Sequence, residues 1–131
     1  MDADSQAFLS ADGLSESGYV DPQLVELAVE VFAMLADTTR VRIILALGNG
    51  ELSVNTLAMV VDKPSPAVSQ HLAKLRMARM VAARHEGTRV FYRLADEHAQ
   101  QLVTAAMQQA EHSVAGQPRH HETMVRAGRD G

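Results

Sequence analysis

Cysteine is absent from the 131-residue chain. Without thiols there is no disulfide framework and no thiolate metal site, so any bound metal must use imidazole, carboxylate or backbone ligands. Long apolar runs are also missing, since none approaches the ~18–20 residues that a membrane span requires. The N-terminal stretch is acidic and lacks the basic region of a signal peptide. These absences predict a soluble, cytoplasmic, single-domain protein that does not bind a membrane.

Positive charge is scarce overall, because the formal net charge is −4, whereas DNA-binding domains are usually basic. The charges are nevertheless segregated along the chain. Residues 37–93 contain nine basic and four acidic residues, a net charge of +5, while the remainder has a net charge of −9. A basic middle between acidic ends favours a polyanionic partner. The charge distribution alone is equally consistent with an irregular, solvated surface that binds no polyanion.

Helix-capping residues divide the middle of the chain. Asp21, before Pro22, predicts the start of a first helix. Asp37 predicts the start of a second helix, which stops near residues 48–50. Ser53 predicts the start of a short third helix. Ser65, as cap before a proline, predicts a fourth helix that reaches about Ala78.

Two short strands follow, Val81 to His85 and Arg89 to Leu94, around the turn residues 86–88. A last helix is predicted from about Asp96 to His112. We therefore expect a flexible arm at residues 1–20, a domain at 21–113, and a flexible histidine-containing tail at 114–131. The fold class is mainly α with a β-hairpin wing, a winged helix-turn-helix whose fourth helix lies in the DNA major groove.

Small polar and basic side chains cluster on the fourth helix and the wing. Glutamine can pair with adenine, serine serves several bases or a phosphate, and lysine and arginine suit phosphates. Each residue alone is as consistent with a solvated surface, but the set in this topology favours DNA binding. The predicted DNA contacts are Ser65, Ser69, Gln70, His71, Lys74, Arg84 and Arg89.

Three stretches resemble the ArsR/SmtB family: VFAMLADTTRVRIILAL, PSPAVSQHLAKLRMARMV and GTRVFYRL. The resemblance covers roughly residues 22–112. It implies a homodimeric bacterial repressor, paired through its first and last helices, that leaves operator DNA when it binds a metal or another inducer. One departure is that Arg79 stands where many members have glycine, in the sequence Ala-Gly-Leu-Val. We expect Arg79 to add a charge near the DNA side without threatening the fold.

The resemblance also narrows the signal. Members that sense arsenic, cadmium or lead usually use cysteines, which this chain lacks, and the other common site lies on the last helix. His98 and His112 are 14 residues apart, about 21 Å along one helix, so a single ion cannot join them within one chain. Two antiparallel last helices would bring His98 of one subunit to Glu111 and His112 of the other.

The pattern LADEHAQQLV…AEHxxxGxPRHH resembles the nickel- and cobalt-sensing KmtR branch of the family. That resemblance implies a metal site made of His98, Glu111, His112, His120 and His121. Five nitrogen and oxygen ligands suit Ni(II) or Co(II) better than a four-coordinate zinc site. Zn(II) stays an alternative, because Asp96 and His98 match half of the zinc-sensing pattern. Gln109, however, occupies a position where that pattern has histidine.

The predicted function is a metal-responsive repressor that binds an imperfect inverted repeat in double-stranded operator DNA as an apo homodimer. Ni(II) or Co(II) is the expected inducer. A zinc signal, or a signal other than a metal, is the first alternative. A small metal-dependent hydrolase is a remote one, because no nucleophile motif or phosphate loop is present. An architectural DNA-binding protein is a third, for which a charge of +5 is modest.

Overall fold

The computed structural model describes residues 18–116, and its elements follow the order of a winged helix-turn-helix domain. Within that range no helix combines the length and the apolar character that crossing a membrane requires. The described helices are α1 (Pro22–Leu35), α2 (Thr38–Leu47), α3 (Val54–Val61), α4 (Ser65–Met77) and α5 (His98–Ala115), and the described strands are β1 (Leu52–Ser53), β2 (Val81–Glu86) and β3 (Arg89–Leu94).

Three of the four predicted helix caps are confirmed. The Asp21 carboxylate accepts a hydrogen bond from the backbone N–H of Gln23 at 2.9 Å, and that of Asp37 accepts one from Arg40 at 3.0 Å. Ser53 Oγ accepts from the backbone N–H of Thr56 at 3.2 Å. Each cap satisfies a donor that the first turn leaves without an intrahelical partner.

The fourth cap and the bounds of the last helix were predicted wrongly. Pro64 is the N-cap of α4, no side chain caps it, and Ser65 is already helical. Helix α5 begins at His98, two residues after Asp96, whose carboxylate accepts a hydrogen bond from the backbone N–H of His98 at 2.9 Å. The helix also continues to Ala115, beyond the predicted end at His112.

A three-stranded antiparallel sheet forms the wing, in the order β1-β3-β2. Strand β2 continues to Glu86, one residue beyond the predicted end, and Glu86 pairs with Arg89. Gly87 has a φ of 63° in the tight turn between them, a conformation that glycine adopts at no steric cost. The prediction missed β1, whose two residues pair with Tyr92 and Phe91 of β3.

The core lies where α2, α3 and α4 meet the base of the wing. Its largest fully buried side chains come from these three helices, and Met80 and Val81 extend the core toward the sheet. Helix α5 adds two buried residues, Ala99 and Val103, whereas α1 adds only Leu35. The fully buried set is Ile43, Ile44, Leu57, Val61, Val68, Leu72 and Leu75.

Helix α4 ends in a Schellman motif, with an arginine in its left-handed position. The backbone N–H of Met80 donates to the carbonyl of Leu75 at 2.9 Å, and that of Arg79 donates to Arg76 at 2.9 Å. Met80 and Leu75 are both buried, as this motif favours. Arg79 itself has a φ of 62°, where glycine is the usual residue.

Helix α3 ends in the same way. Lys63 donates its backbone N–H to the carbonyl of Ala58 at 3.1 Å, and Asp62 donates to Met59 at 3.3 Å. Asp62 takes the left-handed conformation, with a φ of 57°. Aspartate tolerates that region better than most residues, and Pro64 prevents the helix from continuing.

Candidate functional site

The start of α4 and the turn of the wing share an open groove of about 400 Å³. Ser65 and Ser69 reach it from α4, and Thr88 and Arg89 reach it from the wing. Three of the predicted DNA contacts, the two serines and Arg89, therefore lie together. The full lining of the groove is Ser53, Val54, Asn55, Ser65, Ser69, Thr88, Arg89 and Val90.

Asn55 on α3 is part of this surface, although it is not among the predicted DNA contacts. Ser65 Oγ donates to Asn55 Oδ1 at 3.3 Å, which ties the first helix of the helix-turn-helix unit to the second. Gln70 and Lys74 are exposed on α4, as a DNA-reading role requires. In the sequence Asn55 is only a polar residue shortly after the cap Ser53. Nothing in that position indicates a hydrogen bond with Ser65, ten residues later.

One acidic residue, Glu51, and one aromatic residue, Phe91, contact the arginines of the wing. The guanidinium of Arg84 donates to both carboxylate oxygens of Glu51, at 3.0 and 2.8 Å. This pairing holds the pKa of Glu51 below its ordinary value. The guanidinium carbons of Arg84 and Arg89 lie 4.8 and 4.9 Å from the centroid of the Phe91 ring. The two predicted wing contacts therefore share one platform, which stiffens both side chains.

Phe91 and Glu51 were not predicted, and for different reasons. Phe91 is the cross-strand partner of Arg84, so the hairpin register explains that contact once the turn is known. Glu51 lies 33 residues from Arg84, and no local pattern relates them.

His71 has a partner inside the chain. Its Nδ1 accepts a hydrogen bond from Arg40 Nε at 3.1 Å, and its side chain belongs to the partly buried part of α4. Arg40 also donates to the backbone carbonyl of Met34, at the end of α1, at 3.0 Å. The predicted DNA contact at His71 thus faces α2 through at least one ring nitrogen.

The predicted metal ligands of the described chain lie at the two ends of α5. His98, at the start, has a 77% exposed side chain, and its Nδ1 lies 3.3 Å from Asp96 Oδ1. Glu111 and His112 are exposed near the other end, and His112 lies in the last turn. Since α5 is continuous, His98 and His112 are about 21 Å apart along its axis. His120 and His121 lie outside the described residues.

Among residues 18–116 no group of three or more histidine, aspartate or glutamate side chains is close enough to hold a metal ion. The donors that are present supply nitrogen and oxygen, and they point to ions that accept imidazole and carboxylate. One described chain therefore provides only part of any metal site on α5.

Large apolar side chains are exposed along α1 and, at Met107 and Val114, on α5. From residue 104 onward every described residue of α5 is exposed. An apolar cavity of about 310 Å³ lies between the two helices, lined by Phe32, Leu35, Val41, Leu102, Val103, Ala106 and Met107. The large apolar residues exposed on α1 are Leu24, Val25, Leu27, Val29 and Phe32. Patches of this kind mark protein interfaces more often than free surfaces.

The sequence and fold are similar to those of known regulators. Residues 37–83 match the family described as bacterial regulatory protein, arsR family. The HTH-type transcriptional regulator KmtR of Mycobacterium tuberculosis is 60% identical over 95 residues, which are 72% of this chain and 73% of that protein.

Two solved structures have the same fold. The antimony-specific transcriptional repressor AntR superimposes with a TM-score of 0.67 at 28% identity, over 72% of this chain and 86% of its own. A homodimeric winged helix-turn-helix DNA-binding domain from Mycobacterium bovis gives a TM-score of 0.65 at 28% identity, over 76% of this chain and 94% of its own. Sequence and fold similarity therefore each cover more than two thirds of the chain.

Proposed function

This chain belongs to the ArsR family of bacterial regulatory proteins, and we propose that it is a homodimeric repressor that Ni(II) or Co(II) releases from operator DNA. The observation that carries the proposal is the distribution of donors on α5. His98 lies at one end of this exposed helix, and Glu111 and His112 lie near the other. Family members are DNA-binding transcriptional regulators and not enzymes, so the hydrolase alternative is set aside.

The DNA-binding surface consists of the start of α4 and the wing. Ser65, Ser69 and Gln70 meet base edges and phosphates at the helix N-terminus, where backbone N–H groups and the helix dipole also favour a phosphate. Lys74, Arg84 and Arg89 contact the phosphate backbone. The shared groove and the platform on Phe91 support this assignment, because they place residues of both elements on one surface.

The homodimer forms through α1 and α5. Exposed apolar side chains on α1, and the apolar cavity beside α5, give the two helices surfaces that a second copy would cover. A two-fold axis places the two α4 helices on one side, so that each enters one half-site of an imperfect inverted repeat.

The residues present fit a metal ion only when two chains contribute. His98 of one subunit and Glu111 and His112 of the other would hold it, joined by His120 and His121. When bound, the ion would supply a bond between the last helices of the two subunits. The histidines and the glutamate fix the spacing of those helices, and the spacing of the α4 helices follows. DNA and metal then oppose one another by about 1–3 kcal/mol, roughly 5–150-fold in affinity.

Zinc is the second candidate signal, since Asp96 lies 3.3 Å from His98 and the zinc-sensing pattern of the family begins with this pair. The donor count favours nickel and cobalt. In the second half of the zinc-sensing pattern His112 matches, but Gln109 occupies a position where that pattern has histidine. Direct competition between the metals separates the two candidates.

The test measures the affinity for a duplex taken from upstream of the gene, by fluorescence anisotropy, with and without Ni(II), Co(II) or Zn(II). We expect Ni(II) or Co(II) to weaken binding at least fivefold. His98→Ala should abolish that response and keep apo affinity. His85→Ala is the matched control, because His85 is an exposed histidine of the wing.

Three outcomes contradict the proposal. An intact dimer whose DNA affinity no metal changes is not a metal sensor. A response to Zn(II) alone, abolished by His98→Ala, supports the zinc alternative. If His98→Ala removes apo DNA binding itself, then His98 has a structural role and does not act as an inducer ligand.

A further inference from the structure

Arg40 connects the helix that carries the apolar surface to the helix that carries the DNA-binding surface. It lies in the first turn of α2, where Asp37 caps the helix through the Arg40 backbone N–H. One guanidinium nitrogen donates to the Met34 carbonyl at 3.0 Å, near the end of α1, and lies 3.4 Å from the Met34 sulfur. Another, Nε, donates to His71 Nδ1 on α4 at 3.1 Å. A single side chain thus spans three helices.

The direction of the last hydrogen bond fixes the chemistry of His71. Arginine is always protonated in proteins and has no acceptor, so His71 Nδ1 must be the acceptor. The neutral ring then has its proton on Nε2. The two ring nitrogens therefore have separate roles, and only Nε2 is left to bind anything else.

We propose that His71 is a positioning residue, which orients the recognition helix α4 by accepting a hydrogen bond from Arg40. The role rests on the proposed function, in which α4 reads DNA and α1 pairs with a second subunit. Because Arg40 also binds the end of α1, the link transmits the position of the dimer helix to α4. This hydrogen bond raises DNA affinity because it orients α4 before the protein binds DNA.

Base reading by His71 is the competing role, and it requires the other nitrogen. A contact with a base edge in the major groove would use Nε2, since Nδ1 is occupied by Arg40. The two roles therefore predict opposite effects of replacing His71 by asparagine or by glutamine. Asparagine keeps an acceptor near the position of Nδ1 and removes Nε2, whereas glutamine keeps a donor near Nε2 and removes the acceptor at Nδ1.

The experiment compares His71→Asn, His71→Gln and His71→Ala in the full-length dimer, using a duplex from upstream of the gene and a scrambled duplex. We expect His71→Asn to retain wild-type affinity for the upstream duplex. His71→Gln and His71→Ala should lose about tenfold or more, the factor that corresponds to the net contribution of one hydrogen bond with a charged donor. In an Arg40→Gln background the asparagine and glutamine variants should become equal.

The reverse ranking, with glutamine retained and asparagine lost, overturns the proposal and assigns base reading to His71. Equal affinities for all three variants, or equal losses, overturn it as well. Long-range proton–nitrogen NMR of the wild-type ring supplies a measurement that needs no variant to fold. It should show an unprotonated Nδ1 and a protonated Nε2, and a protonated Nδ1 in the neutral ring overturns the proposal.

Failure of the proposed function has a different signature. Wild-type protein that does not prefer the upstream duplex to the scrambled one is not a repressor of that site. The NMR result and the thermal stabilities of the asparagine and glutamine variants still test the link between Arg40 and His71 in the free protein.

Discussion

Replacing Arg79 by glycine should stabilise the protein. Arg79 occupies the left-handed position of the Schellman motif after α4, with a φ of 62°. The neighbouring hydrogen bonds, from Met80 to Leu75 and from Arg79 to Arg76, require that conformation. A side chain with a Cβ is disfavoured there because the Cβ approaches the following carbonyl oxygen.

The expected gain is the difference between two opposing effects. The left-handed conformation costs a residue with a Cβ about 1–2 kcal/mol. Glycine in turn loses about 0.5–1 kcal/mol more backbone entropy on folding. Since Arg79 is exposed, little side-chain packing is lost. With the middle of each range, Arg79→Gly should raise the free energy of unfolding by about 0.75 kcal/mol, or the melting temperature by about 3–6 °C.

The assay is chemical and thermal denaturation followed by circular dichroism, at one fixed protein concentration because the stability of the proposed dimer would depend on concentration. Arg79→Ala is the matched control, since it removes the charge and the long side chain but keeps the Cβ. We expect it to be no more stable than the wild type. Asp62→Gly, at the equivalent position after α3, should gain less, because aspartate tolerates the left-handed region.

Two results would refute this reasoning. If Arg79→Ala gains as much as Arg79→Gly, then removal of the charge accounts for the gain and the backbone conformation does not. If Arg79→Gly gains nothing, then either the left-handed conformation is not adopted in solution or it carries no cost at this position.

Three further predictions concern the cap, the wing and the dimer. Asp37→Ala should lower the free energy of unfolding by about 1 kcal/mol; because the Arg40 N–H lowers the pKa of Asp37, this stability is present at neutral pH and is lost as the pH falls through the carboxyl range, so wild type and variant should converge in acid denaturation. Glu51→Gln removes an anion beside Arg84 and should strengthen binding to any duplex while steepening its salt dependence, as anisotropy at several salt concentrations will show; weaker binding would mean that Glu51 orients Arg84. Phe32→Glu places a charge on the exposed apolar side of α1 and should shift sedimentation equilibrium to the monomer, whereas an unchanged dimer would place the interface elsewhere.

Features that depend on neighbouring residues were predictable from the sequence. The caps at Asp21, Asp37 and Ser53 formed as expected because each involves a side chain and a backbone N–H two or three residues later. The hairpin followed from a turn with glycine between strand-forming residues. The winged helix-turn-helix order is confirmed for the same reason, since each helix and both strands of the hairpin have a local signal.

Where the prediction failed, a competing interaction decided the outcome. Ser65 was expected to cap α4, but Pro64 already has the extended backbone of a cap, and the Ser65 hydroxyl donates to Asn55 instead. Strand β1 has two residues and exists only because β3 pairs with it. The contact between Arg40 and His71 joins residues 31 apart, and neither residue differs in pattern from a solvated one.

At Arg79 the fold was predicted correctly, but the left-handed backbone conformation of this residue was not. Arg79 stands where many family members have glycine, and from the sequence we expect an added charge and an unchanged fold. The structure retains the helix end that glycine would favour, so the backbone keeps its conformation and the arginine bears the steric cost. A substitution of this kind leaves the fold unchanged but lowers the free energy of unfolding. Unfolding measurements therefore reveal it, whereas a comparison of folds does not.

The candidate metal site shows what a single chain can and cannot contribute to an intersubunit site. Helix geometry alone separates His98 from His112 by about 21 Å, and the continuous α5 retains that separation. A dimer with antiparallel α5 helices would use the separation twice, once for each of two equivalent sites, and each site would connect the start of one helix to the end of the other. In the proposed dimer an ion at such a site would act on the distance between subunits, and that distance would also set the spacing of the two DNA-binding surfaces. The same residues placed within one helix turn would bind metal without changing that distance, and they would give no response at the DNA.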